Sequence, residues 1–349
     1  MIMFLMIQSV VAQNYTKEKS VTESFLAEKY TELNINNKYG DVFLFPSDND
    51  SIHFKVKLSA SDKKEYEAEE QLAEMNVHIS KSAYVIQAST IFNGNENNFK
   101  TDFKMFTGNI FNSSKSIRVD YEVYVPNGLT VNITNAYGNV VVDEYKGDFT
   151  VNINAGDFTV GILQGKSKIE MRGGVLRAHY ISDAVIIADM TEINIDSISK
   201  AYFESRGAQV NIHYADKLTV DSKRDKWIIN EVNTIGGSGN FSTFNVSVLT
   251  NEAVLKTFYG DVSFHKLGPD FSKVSLITSS GDVIIGLPTG VEPSFQCEMK
   301  KTRSVFPASL NLQTDTLDAK NQMFRVYNKP DSATQYINLN TTGGSLSVF

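Results

Sequence analysis

Between Lys166 and Asn233 the order of apolar and polar residues repeats with a fixed period. The stretch divides without a gap into four 17-residue units: KSKIEMRGGVLRAHYIS, DAVIIADMTEINIDSIS, KAYFESRGAQVNIHYAD and KLTVDSKRDKWIINEVN. Stacked, the units align apolar columns: Ile169, Ile186, Phe203 and Val220; Leu176, Ile193, Val210 and Trp227; Ala178, Ile195, Ile212 and Ile229; Ile181, Ile198, Ala215 and Val232. Polar columns run between them, Arg172, Asp189, Arg206 and Lys223 in one, His179, Asp196, His213 and Asn230 in another. Each unit therefore predicts two short strands of period two, one face buried and one wet, joined by a polar turn. Apolar residues three and four apart, which a helix would need, do not recur in the block.

A second form of the unit flanks this block, read as carrying two extra residues in its turn. It runs LNINNKYGDVFL from Leu33, VNITNAYGNVVV from Val131, AVLKTFYGDVSF from Ala253, VSLITSSGDVII from Val274 and INLNTTGGSLSV from Ile337. Gly40, Gly138, Gly260, Gly281 and Gly344 hold equivalent places, where a tight turn with positive φ is expected. One such unit cannot bury its apolar face alone, whereas units stacked on one another form a continuous core. The prediction is an all-β, single-chain β-solenoid with rungs of about 17–20 residues. At about 4.8 Å per rung, roughly ten to fourteen rungs would make a rod on the order of 50–65 Å long.

Residues 13–349 then form a single domain, most regular over 129–288 and looser over the Pro-containing stretch 291–336. Two segments depart from the repeat. Residues 61–76, SDKKEYEAEEQLAEMN, predict one short helix near the N-terminal end, capped by Ser61 or Asp62. Residues 89–116 form a long Asn-rich loop that nevertheless carries Phe92, Phe99, Phe103, Phe106 and Phe111. Loops of this length are uncommon unless they have a use. These rings are either a contact surface for glycan or protein, or a seal on one flank of the solenoid. Met1–Ala12 holds an apolar run ending at Val10-Val11-Ala12, the pattern of a cleaved secretory signal peptide, too short to span a bilayer as a helix.

Composition narrows the function classes. With 33 Lys plus Arg against 40 Asp plus Glu, the net charge of -7 and the absence of basic runs exclude a nucleic-acid binder. A single cysteine, Cys297, excludes an internal disulfide framework and a cysteine-based zinc site. Its apolar-polar alternation with Phe295 and Met299 predicts a buried position.

The apolar start, the extended segment IRVDYEVYVPNGLTVNITNAYGNVVV from Ile117 to Val142 and the repeated Tyr/Ser-Gly-Asp-Val turns resemble the putative-adhesin, β-strand-repeat family of exported Gram-negative bacterial proteins. The resemblance covers most of the mature chain and rests on structural motifs. It implies a right-handed β-solenoid at the cell envelope with a role in adhesion, and it brings no catalytic residues. The regular 17-residue block and the long loop depart from the family's plain pattern.

The outward columns carry the residues that could do chemistry. Glycoside hydrolysis needs two carboxyls about 5 Å or about 6.5–9.5 Å apart, and adjacent rungs place Glu204 and Asp221 about 4.8 Å apart. Arg172, Asp189 and Arg206 beside them read instead as a charge-complementary surface. His179 and His213 lie two rungs apart, about 9.6 Å, too far to share a zinc ion without leaning hard together. A hydrogen-bonded ladder through Asp196 is the simpler expectation. No catalytic, metal or cofactor-binding residue is assigned. The expected function is a non-enzymatic, exported, adhesin-like protein that binds glycan or an envelope or surface protein through its lateral faces or loops, in the periplasm, on the outer surface or secreted. The alternatives are a polysaccharide-active enzyme on the same scaffold and a purely structural or regulatory envelope component.

Overall fold

In the computed structural model, which describes residues 14–92, 116–328 and 333–349, each 17-residue unit of the central block is one coil, and the coils stack as parallel strands. Of the described residues 72% lie in strands, with a single α-helix among them, wound into a β-solenoid of about nine turns. The chain begins with β1 (Tyr15–Leu26), β2 (Glu32–Lys38), β3 (Val42–Pro46) and β4 (Ser51–Asp62), then helix α1 (Glu65–Glu74), β5 (Met75–Ser82), β6 (Val85–Phe92) and β7 (Ser116–Val125). Short strands β8 (Thr130–Ala136), β9 (Val140–Lys146) and β10 (Asp148–Asn154) lead into long ones: β11 (Phe158–Arg172), β12 (Val175–Asp189), β13 (Glu192–Arg206), β14 (Gln209–Lys223), β15 (Lys226–Asn240) and β16 (Thr243–Phe258). The remainder is β17 (Val262–Leu267), β18 (Lys273–Ser279), β19 (Val283–Ile285), β20 (Ser294–Lys300), β21 (Arg303–Val305), a 3-10 turn (Ala308–Leu310), β22 (Gln313–Asp318), β23 (Met323–Tyr327), β24 (Tyr336–Thr342) and β25 (Ser345–Val348).

The apolar columns become vertical neighbours in the register the repeat predicts. Ile169 pairs with Ile186, Ile186 with Phe203, and Phe203 with Val220, all of them buried. The same holds for Leu176, Ile193, Val210 and Trp227. Large rings fill part of the core. Trp227 meets Phe203 edge-on at 5.1 Å and stacks on Phe244 at 5.9 Å, contacts that add to the apolar area each ring removes from water. Cys297 is fully buried at the C-terminal end of the column that begins with Ile169, and burial pushes its thiol pKa up to about 12 against the opposing hydrogen bond from Thr341.

The turns correct two expectations. The positive φ does not sit on Gly40, Gly138, Gly260 or Gly281 but on the residue before each: Tyr39 (63°), Tyr137 (59°), Tyr259 (54°) and Ser280 (56°). These glycines are required because the coils approach closely there. A Cβ on Gly138 would lie 1.9 Å from the Gly40 carbonyl oxygen, and one on Gly281 would lie 2.1 Å from that of Gly260. Of the five motif glycines, Gly344 alone both has positive φ (71°) and is crowded in this way. Nor does the flanking form carry extra residues in this turn. Its added length sits at the opposite corner, where the register shifts between Leu163 and Lys166 of β11 and between Val232 and Thr234 of β15.

The residue after the glycine also has a task. Asp41 Oδ1 accepts the Asn139 N–H at 2.7 Å, Asn139 Oδ1 accepts that of Asp157 at 2.9 Å, and Asp157 Oδ1 accepts that of Val175 at 2.9 Å. Near the C-terminus the Asp261, Asp282 and Ser345 positions repeat the pattern. Val175 offers no side-chain acceptor, so from there the ladder passes to the backbone: Glu192 N–H donates to Gly174 O and Gln209 N–H to Thr191 O. The Gly-Asp-Val motif thus reads as close approach, side-chain acceptor, core residue. Asp282→Ala is expected to cost about 1–2 kcal/mol, since its Oδ1 accepts from both the backbone N–H and the hydroxyl of Ser345. An unchanged urea midpoint would contradict that role.

The ends leave the repeat, which is why the turns number about nine rather than ten to fourteen. At the N-terminal end β4 pairs antiparallel with β1 and β7, and β5 with β6. At the C-terminal end β23 pairs antiparallel with β20 and β22. These segments cover edges that an open coil would expose. The helix packs on β1 and β4 and is shorter than predicted. Ser61 and Asp62 end β4, and the helix N-cap is Lys64, with no side-chain cap bond. Asp62 instead accepts from Lys64 N–H and Gln71 Nε2. Each end also tucks a terminal segment one rung inward. β2 lies between β6 and β8, and β24 lies between β18 and β20. β2 and β24 are thereby paired on two sides.

Candidate functional site

Strands β10 to β14 expose two adjacent columns on one lateral face because the residues between them point inward: Met171, Ala188, Ser205 and Ser222 are buried. The first column reads Asn152, Glu170, Ile187, Glu204 and Asp221, the second Asn154, Arg172, Asp189, Arg206 and Lys223. Together they line an open groove of about 500 Å³. Tyr202, 40% exposed, stands one column further out on the same strand as Glu204.

Most of the groove's charges are committed. Arg206 donates to Asp189 through two bonds, Nε to Oδ1 at 3.1 Å and Nη2 to Oδ2 at 3.0 Å, which raises the guanidinium pKa above its ordinary value. Glu170 is held by Lys168 and by Asn152 Nδ2. Ser238 donates to Asp221 at 3.4 Å, a long bond. The side chains of Arg172, Glu204 and Lys223 make no hydrogen bond or ion pair among the described residues.

Beneath the groove lies a buried polar network. Asp225 accepts from the Ser205 hydroxyl at 2.7 Å, the Ser222 hydroxyl at 2.6 Å, the Ala208 N–H at 2.7 Å and the Lys223 N–H at 3.0 Å. Ser222 in turn accepts from the Trp227 indole N–H at 2.9 Å. Asp225 occupies the turn place that glycine holds elsewhere, so the network fixes the adjacent coils that present Arg206 and Lys223 to the groove.

The sequence-predicted residues divide among three places. Arg172, Asp189 and Arg206 do share one column, but only Asp189 and Arg206 are bonded to each other. His179, Asp196 and His213 share a column on the other half of the coil. There His179 Nδ1 and Asp196 Oδ2 lie 2.9 Å apart, both side chains exposed. No bond joins Asp196 to His213 among the described residues, so the expected ladder has one rung. Phe92 closes β6 with its ring buried against Tyr39 at 5.7 Å, inside the core. Phe99, Phe103, Phe106 and Phe111, with most of the 89–116 loop and the signal segment 1–12, lie outside the described residues. No group of three His, Cys, Asp or Glu among the described residues could hold a metal ion. Sequence reasoning passed over Tyr202, although the 17-residue spacing sets it beside Val185 and Thr219 on the wet face. It also missed the Asp225 network, because an aspartate in a polar turn looks solvated.

No family model matches this sequence, and no curated protein matches it. Among solved structures, a protein of Parabacteroides distasonis described as a putative adhesin aligns over 95% of this chain and 97% of its own at 9% identity and TM-score 0.32. A putative cell adhesion protein of Clostridium sporogenes aligns over 95% of this chain and 99% of its own at 10% identity and TM-score 0.20. A putative lipid binding protein of Parabacteroides distasonis aligns over 76% of this chain and 96% of its own at 14% identity and TM-score 0.30. The solenoid itself is defined by the strand registers. No helix among the described residues is long and apolar enough to cross a membrane.

Proposed function

We propose that the protein is an exported, adhesin-like envelope component that binds a glycan or surface protein in the β10 to β14 groove and performs no chemistry on it. The observation that carries this is the trio Arg172, Glu204 and Lys223, charged side chains left without internal partners in a groove where Glu170, Asp189 and Arg206 are ion-paired. Groups of that kind are available to a ligand at no cost in broken internal bonds, and they favour orientation and specificity over raw affinity. The apolar run at Met1–Ala12 supports export.

The test is binding of the full chain to glycan and envelope-protein panels, with and without the combined substitutions Arg172→Gln, Glu204→Gln and Lys223→Gln. Binding is expected to fall at least tenfold with the circular dichroism spectrum unchanged, and no ligand is expected to be cleaved. The polysaccharide-active alternative requires wild-type protein to release reducing ends and Glu204→Gln to stop it. Equal binding by wild type and triple variant would remove the groove from consideration.

A further inference from the structure

The left-handed turn residues form a column of their own along the solenoid edge that borders the groove. In spatial order Tyr39, Tyr137, Ala155, Gly173 and Met190 all have φ between 50° and 71°. Small residues suit this conformation, and a bulky side chain there carries backbone strain. Tyr137 is nevertheless 39% exposed and stacked on Tyr39, ring centroids 5.4 Å apart and planes within 12°. The next two turns of the column carry only Ala155 and Gly173, and a Cβ added to Gly173 would meet nothing within 4 Å among the described residues. The Tyr137 ring thus forms a flat wall beside two turns that bear no bulky side chain.

Hydrogen-bonding groups adjoin that wall. Asn154 and Arg172 immediately precede Ala155 and Gly173, and both belong to the exposed column of the groove. Neither side chain has a partner among the described residues. A flat aromatic face beside an unpaired amide and an unpaired guanidinium matches the two sides of a sugar ring, an apolar C–H face and a rim of hydroxyls. We propose that Tyr137, Asn154 and Arg172 form a saccharide subsite at the end of the groove, which rests on the groove being a binding surface and names the ligand class it takes.

The test uses the full chain titrated calorimetrically with neutral hexasaccharides of glucose, mannose and galactose. The variants are Tyr137→Gly, Tyr137→Phe, Arg172→Gln and the double change Glu204→Gln with Lys223→Gln. At least one hexasaccharide should bind wild type. Tyr137→Gly should weaken it tenfold or more without lowering the thermal midpoint by more than loss of the Tyr39 stack accounts for, Tyr137→Phe should restore it, and Arg172→Gln should weaken it. Binding by Tyr137→Gly equal to wild type would overturn the subsite; if the double variant then still lost binding, the groove would stand without it. Failure of every hexasaccharide to bind wild type would also overturn the subsite, leaving the groove to be judged by the protein panel.

Discussion

Gly138→Ala is expected to destabilise the protein by about 3 kcal/mol or more, whereas Gly173→Ala should cost only about 1 kcal/mol. The two glycines separate two needs that one residue type conceals. Gly138 has ordinary φ but no room: an added Cβ would sit 1.9 Å from Gly40 O and 2.6 Å from its carbonyl carbon, both backbone atoms that cannot swing aside. Accommodating it means prising the coils apart where Tyr39 N–H donates to Ala136 O and Val42 N–H donates to Asn139 O, each at 2.9 Å. Gly173 has room but unusual φ, 71°, so alanine there adds strain without collision. Urea unfolding of the two variants checks the order. If Gly173→Ala proved the costlier, close approach of the coils would not be what selects glycine in this motif.

That contrast marks how far the fold could be read from the sequence. Columns such as Ile169, Ile186, Phe203 and Val220 were legible because a one-dimensional repeat turns a fixed count of residues into vertical contact. The charged columns were legible for the same reason, and so was the face that became the groove. Register gives neighbours, however, and leaves the pairing among them open. It does not say that Asp189 turns to Arg206 and leaves Arg172 uncommitted, because that choice belongs to side-chain rotamers. The glycine pattern was visible while its cause was not, since a tight turn and a close contact both demand glycine. The ends were least legible. Antiparallel strands such as β4 and β23 carry period-two alternation without the 17-residue spacing, and the inward tuck of β24 between β18 and β20 is a matter of chain order that no local pattern records.

Asp225→Ala should be at least as damaging as Gly138→Ala, with an expected loss of about 4 kcal/mol, and it acts through polarity rather than collision. The substitution leaves the Ser205 hydroxyl and the Ala208 and Lys223 N–H groups without their acceptor, and the Ser222 hydroxyl with only Ser242 Oγ, at a site where Asp225 is 4% exposed. Each buried donor so stranded costs about 1–3 kcal/mol, and the four share one centre, so the sum is less than additive. Asp225→Asn should fall between, at about 1–2 kcal/mol. Its carbonyl oxygen can still serve Ala208, and serine hydroxyls can rotate to accept from the new amide, but Lys223 N–H loses its partner. The order wild type, Asn, Ala in urea midpoint is the first check. Hydrogen exchange is the second: protection should drop first at Ala208 and Lys223, on the coils that carry the groove. An alanine variant within 1 kcal/mol of wild type would mean that water replaces the carboxyl group and that the network does not hold this part of the groove in shape.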